Sequence, residues 1–123
     1  MYEISVAQHF DAAHALRGYR GKCEALHGHR FQVVVRVKST TLNEIGIAYD
    51  FTDLKRHLGE IVARFDHTSL NDIPPFDRMN PSSENIAHTI YQELESKLAG
   101  APVSLAAVEV RESPESRVSY HPD

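Results

Sequence analysis

The chain has 123 residues and a formal net charge of −4, a length that suits one domain able to bury a core without disulfides. Its single cysteine allows no internal bridge and fits a reducing, cytoplasmic setting. The acidic balance argues against a nucleic-acid or anionic-membrane surface, residues 1–6 lack a signal-peptide pattern, and no apolar run is long enough to span a bilayer.

Residues 2–16 alternate. Tyr2, Ile4, Val6, Phe10, Ala12, His14 and Leu16 share one parity, which predicts a long half-buried strand. A basic loop with two glycines follows, Arg17-Gly18-Tyr19-Arg20-Gly21-Lys22. Residues 27–38 alternate again, with Phe31, Val33, Val35 and Val37 on one face. The period then becomes helical, with Leu54, Leu58, Ile61, Val62 and Phe65 in one stripe and Asp50 or Thr52 as its N-cap. After a turn-rich stretch from Asn71 to Pro81, Ser82 predicts the cap of a second helix with the stripe Ile86, Ile90, Leu94 and Leu98, ended by Gly100 and Pro102. Strands over about 103–111 and 117–121 close the chain around a turn at Ser113-Pro114-Glu115. The order ββααββ predicts an α+β domain over residues 1–123, with one four-stranded antiparallel sheet and two helices on one face. Neither of the first two strands carries a proline to blunt an exposed edge, so pairing with other copies into a homo-oligomer is predicted.

Chemistry concentrates at one end of the first two strands. His27 and His29 are two apart, so both project to the face of Phe31 and Val33, and His14 shares parity with the apolar set of the first strand. Antiparallel pairing would bring three imidazoles to one margin of the core, a donor set that suits zinc, copper or iron and most resembles catalytic zinc with an open fourth position. A His-x-His on a strand is by itself commonly incidental; the third histidine of matching parity is what favours a metal. Cupin-type sites need a glutamate shortly after the pair, absent from Arg30 to Val37, and amidohydrolase barrels are about twice this length.

Cys23 is either a small buried hydrophobe or a thiolate base or nucleophile, its pKa lowered by Lys22 and a neighbouring divalent cation. Asp66-His67 reads as polar capping of a helix end or as an acid–base histidine oriented by a carboxylate, and position alone favours capping. Glu112 shares parity with Val108 and Val110. It either points inward, where it could accept from the amino group and ring N–H of a planar heterocycle, or is an exposed strand-end carboxylate. Arg17, Arg20 and Lys22 either grip an anionic substrate tail or are solvated loop charges.

Together, six motifs resemble the 6-pyruvoyltetrahydropterin synthase family over nearly the whole length. They are Phe10-Asp11-Ala12-Ala13-His14, Cys23-x-x-x-His27-Gly28-His29, Asp50-Phe51-Thr52-Asp53-Leu54-Lys55, Asp66-His67-x-x-Leu70-Asn71, Asn80-Pro81-Ser82-Ser83-Glu84-Asn85 and Val108-Glu109-Val110-Arg111-Glu112-Ser113. The three residues between Cys23 and His27 are similar to the carboxytetrahydropterin branch. Ser82 stands where the family usually has Thr, which preserves helix capping. The resemblance implies the tunnelling fold, with sheets joined into barrels, two trimers stacked into a hexamer, and active sites at subunit boundaries. It implies His14, His27 and His29 as Zn2+ ligands, Cys23 as proton acceptor, Asp66 with His67 as proton relay, and Glu112 as pterin anchor drawn into the relay. The implied substrate is a small pterin, 7,8-dihydroneopterin triphosphate. Its ring would be reduced by internal rearrangement, in keeping with the lack of a glycine-rich dinucleotide motif.

Overall fold

The computed structural model describes every residue of the chain except Cys23. Its elements are β1 (Tyr2–His14), β2 (His27–Ser39), α1 (Phe51–Val62), β3 (Thr68–Ser69), α2 (Ser83–Lys97), β4 (Ser104–Ser113) and β5 (Ser116–Tyr120). The strands form one sheet in the order β3-β1-β2-β4-β5. Neighbours are antiparallel except β3, which runs parallel to β1 at Ala12 and Ala13.

The sheet is therefore five-stranded and mixed, not four-stranded and purely antiparallel. β3 has two residues, too few for any alternation to register; it forms where the chain leaving α1 returns along the outer edge of β1. A second correction concerns the edges. β2 lies inside the sheet, paired to both β1 and β4, so the margins are β5 and the β1 side that β3 covers only at Ala12 and Ala13.

One face carries the core. Phe10 and Phe31 are register partners and their rings stack at 4.9 Å, while Val33, Val35 and Val37 are fully buried beside Val108 and Val110. Both helices cover this face. α1 buries Leu54, Leu58, Ile61 and Val62, and of its two candidate caps Asp50 serves, accepting from the Thr52 N–H at 2.8 Å. Phe65 lies beyond the end of α1 yet stays in the core against Phe10 and Phe76. Ser82 caps α2 by accepting from the Asn85 N–H at 3.1 Å. α2 buries more than its aliphatic stripe, including Ala87, Thr89 and Tyr91, because it packs on β4, β5 and α1 together. No helix among the described residues is long and apolar enough to cross a membrane.

Among the described residues no helix covers the opposite face, but Glu109 is buried there between Arg111 and Arg36, the latter 3.5 Å away. Burial pushes the Glu109 carboxyl up; Arg111, Arg36 and Arg117 outweigh it and leave the group below the usual carboxylate value.

Candidate active site

The strand register delivers the histidines. His14, the last residue of β1, faces His27, the first of β2, and His29 faces Ala12 one step inward. The ring centroids stand 4.5 Å (His14–His27), 4.9 Å (His27–His29) and 5.3 Å (His14–His29) apart. One ring nitrogen from each lies within 4.8 Å of the others.

Backbone carbonyls fix two tautomers. His14 Nδ1 is 2.7 Å from the Pro81 carbonyl oxygen and His27 Nδ1 is 2.8 Å from that of Ala25. A carbonyl only accepts, so each Nδ1 carries a proton, and in the neutral ring Nε2 is then the nitrogen with the lone pair. His14 is fully buried, and its Nε2 has no hydrogen-bond partner among the described residues. Burial pushes its pKa down and His27 and His29 push it further, against the Pro81 carbonyl and Glu112, which favours the neutral ring. An orphaned, buried, neutral imidazole nitrogen beside two more imidazoles, with backbone partners orienting two of the rings, fits a metal ion well.

Glu112 ends the core face of β4 at this margin. Its Oε1 is 3.4 Å from His14 Nε2, and its side chain is 31% exposed. It borders two cavities. One, about 270 Å3, also has Leu16, Tyr19, Ser83 and Glu84 in its wall; the other, about 440 Å3, has His9, Arg30, Gln32 and Arg111.

Asp66 and His67 form a dyad, His67 Nδ1 lying 2.9 Å from Asp66 Oδ2. The Asp11 peptide group holds both: its N–H donates to Asp66 Oδ1 at 2.9 Å and its carbonyl accepts from the His67 N–H at 2.6 Å. His67 adopts a positive φ of 58° to make this turn. That N–H and His67 hold the Asp66 carboxyl below the usual carboxylate range. Asp11, Asp66 and His67 are a second group with clustered ligand atoms, but a cation already sits there, since Arg30 spans both Asp11 oxygens at 3.1 and 3.3 Å. The His67 side chain is 78% exposed.

The structure therefore brings His14, His27, His29 and Glu112 together and builds the Asp66–His67 pair beside Asp11. Cys23 lies outside the described residues. Arg17 is committed to the backbone, donating to the carbonyls of Phe76 at 2.9 Å and of Asn71 and Met79 at 3.2 Å. Arg20 and Lys22 are exposed. Sequence reasoning gave no role to Asp11, Asn71, Asn80 or the Pro81 carbonyl. The signal for Asp11 was a carboxylate facing Arg30 across paired strands; a backbone carbonyl leaves none.

A two-layer α+β fold with a three-imidazole cluster at the margin of its sheet defines a protein with a candidate metal centre. The chain belongs to the 6-pyruvoyl tetrahydropterin synthase family, whose model matches residues 3–123. It is 43% identical over 116 residues to the 6-carboxy-5,6,7,8-tetrahydropterin synthase of Synechocystis sp., covering 90% of this chain and 86% of that one. It is 33% identical over 128 residues to the enzyme of the same name from Bacillus subtilis, covering 98% and 86%. Its fold matches the structure of Caenorhabditis elegans 6-pyruvoyl tetrahydropterin synthase with a TM-score of 0.89 at 25% identity, over 99% of this chain and 96% of that one.

Proposed function

We propose that this chain is a zinc-dependent lyase converting 7,8-dihydroneopterin triphosphate and one water to 6-carboxy-5,6,7,8-tetrahydropterin, with release of acetaldehyde and triphosphate, in 7-deazaguanine (queuosine) biosynthesis. One observation carries the reading: the buried Nε2 of His14 has no hydrogen-bond partner among the described residues and lies beside two further imidazoles, with a carboxylate from β4 at the same margin. The names of the relatives from Synechocystis and Bacillus support this product.

His14, His27 and His29 would hold the ion, which when bound would supply Lewis acidity to the hydroxyls of the substrate side chain. Glu112 would accept from the amino group and ring N–H of the pterin, with Tyr19 and Leu16 in the wall of the adjoining cavity against its planar face. Cys23 would take a side-chain proton and His67, held by Asp66, would move protons to and from the substrate. The ring gains the electrons that the side chain loses, so no nicotinamide or flavin is required. The exposure of His67 and the largely uncovered outer edge of β1 favour an assembly in which sheets join between subunits, a hexamer of two trimers, with the dyad serving a neighbour's site.

A second reading, release of 6-pyruvoyltetrahydropterin, is favoured by the fold match to the C. elegans enzyme of that name. Mass spectrometry of products from the zinc-loaded protein and its Cys23→Ala variant tests both. Carboxytetrahydropterin with acetaldehyde, lost in the variant, supports the first reading; the pyruvoyl product supports the second; no turnover by either protein removes both.

A further inference from the structure

Although most of the outer edge of β1 is uncovered, the stretch where the strand ends is closed in an unusual way. Along a strand, backbone N–H and C=O groups of every second residue point to the same side. At Asp11 these groups take Asp66 and the His67 N–H, and at Ala13 they meet β3. Beyond β3 the pattern continues with no strand to receive it. The Ala15 N–H donates to Asn71 Oδ1 at 2.8 Å and its carbonyl accepts from Asn71 Nδ2 at 2.9 Å. The Arg17 N–H donates to Asn80 Oδ1 at 2.8 Å and its carbonyl accepts from Asn80 Nδ2 at 2.9 Å.

Each carboxamide offers one acceptor and one donor, the complement that a neighbouring strand would present. Two asparagines thus replace a strand across residues 15–17. The same segment also reaches the ring between them and β3, since the carbonyl next to Asn80, that of Pro81, accepts from His14 Nδ1 at 2.7 Å. Asn80 is tied in turn to α2, its carbonyl accepting from Asn85 Nδ2 at 2.9 Å. His14 is thereby held on both sides of its own backbone and at its ring by one continuous stretch of chain.

We infer that Asn71 and Asn80 are positioning residues for His14, fixing where its free Nε2 points within the three-histidine cluster. The inference rests on the metal reading of that cluster. A carboxylate of the same size keeps the acceptor for each N–H but sets a second oxygen against the carbonyl of Ala15 or Arg17, so Asn71→Asp and Asn80→Asp each open one pair.

The test uses cobalt(II) as probe, on wild type and on Asn71→Asp, Asn80→Asp and Asn80→Ala, the last breaking a pair without adding charge. Visible ligand-field absorption reports geometry, chelator competition reports affinity, and hydrogen exchange at the Ala15 and Arg17 amides reports the pairs themselves. The expected result is wild-type circular dichroism, faster exchange at these amides, a shifted cobalt spectrum, and affinity lower by about 10- to 100-fold, the range for residues that orient metal ligands. Wild-type affinity and spectrum in folded variants that lose only thermal stability overturn the inference and leave the metal reading standing. A wild-type protein that takes up no cobalt overturns both. Should Asn71→Asp not fold, the two Asn80 variants decide, since their pair lies farther out on an exposed segment.

Discussion

Glu112 Oε1 stands 3.4 Å from His14 Nε2, the one nitrogen of that ring the backbone leaves free. The β-strand that carries the carboxylate is separated from β1 by β2, so this contact spans three strands at the end of the sheet. It sets a group suited to binding a heterocycle against a group suited to binding a metal, which is the juxtaposition a metal-assisted reaction on a pterin side chain requires.

Glu112→Gln separates those two roles. The amide keeps the size of the side chain but loses the charge and one acceptor, and a hydrogen bond to a charged group contributes about 1.5–3 kcal/mol. Metal content should equal that of wild type, while kcat/KM for dihydroneopterin triphosphate falls by roughly 10- to 100-fold. Loss of the metal in this variant would instead place Glu112 in the ligand set. Metal analysis beside steady-state kinetics distinguishes the two.

Removing the ion should loosen the protein as well as silence it. A ligand at about 1,000 times its Kd stabilises the folded state by about 4 kcal/mol, on the order of 10 °C in Tm for a domain of this size. Chelation should lower Tm by that order and zinc should restore it. His27→Ala should show the lower Tm with or without zinc, since it removes one of three clustered nitrogens. A wild-type Tm that ignores chelator and zinc alike would contradict a metal at this site.

Much of this arrangement was legible beforehand, because strands have a period of two and parity is countable. His14, His27 and His29 lay on apolar parities at the facing ends of two strands, so antiparallel pairing was expected to bring them to one margin, and the register His14↔His27 does so. Ser82 and most of the helix stripes followed from capping and the 3.6-residue period, which left the first cap between Asp50 and Thr52 and carried the first stripe past the helix end to Phe65. What escaped had no period. β3 is two residues long, and β1 ends at His14 instead of residue 16: its pairing with β2 stops at His27, and on the outer side the side chains of Asn71 and Asn80, not a strand, take the next peptide groups. The Pro81 carbonyl that orients His14 comes from a position 67 residues away and depends on no side chain.

Acid stability should report the Asp66 contacts. The Asp11 N–H and His67 lower the Asp66 carboxyl below its ordinary 3.8 in the folded protein. A depressed folded-state pKa contributes stability that is present above the unfolded value and lost as pH falls through the folded one. The window is therefore below about 3.8. Asp66→Asn should unfold more readily than wild type above it, and the gap should narrow on acidification. Chemical denaturation from pH 2 to 6 measures this; a gap independent of pH would show that the charge does not matter. The same variant should lower turnover near neutral pH, where it leaves His67 without its carboxylate partner.

Arg17 has a place that neither sequence reading gave it. A cation in a glycine-containing loop is either a grip on an anionic substrate tail or a solvated charge; here its guanidinium donates to three carbonyls of the segment from Asn71 to Met79. Two guanidinium nitrogens share those carbonyls, Nη1 serving Met79 and Nη2 serving Asn71 and Phe76, and lysine offers one nitrogen in place of that planar fork. Because Arg17 is exposed, water would replace part of what is lost, so Arg17→Lys should cost about 1 kcal/mol and a few degrees in Tm, with KM for the triphosphate substrate unchanged. Lys keeps the charge, so a tail-binding role predicts that Arg17→Lys retains most affinity while Arg17→Gln raises KM several-fold at nearly constant Tm. If Arg17→Gln instead tracks Arg17→Lys in Tm and leaves KM alone, the side chain serves the segment that orients His14, and the anionic tail is met elsewhere.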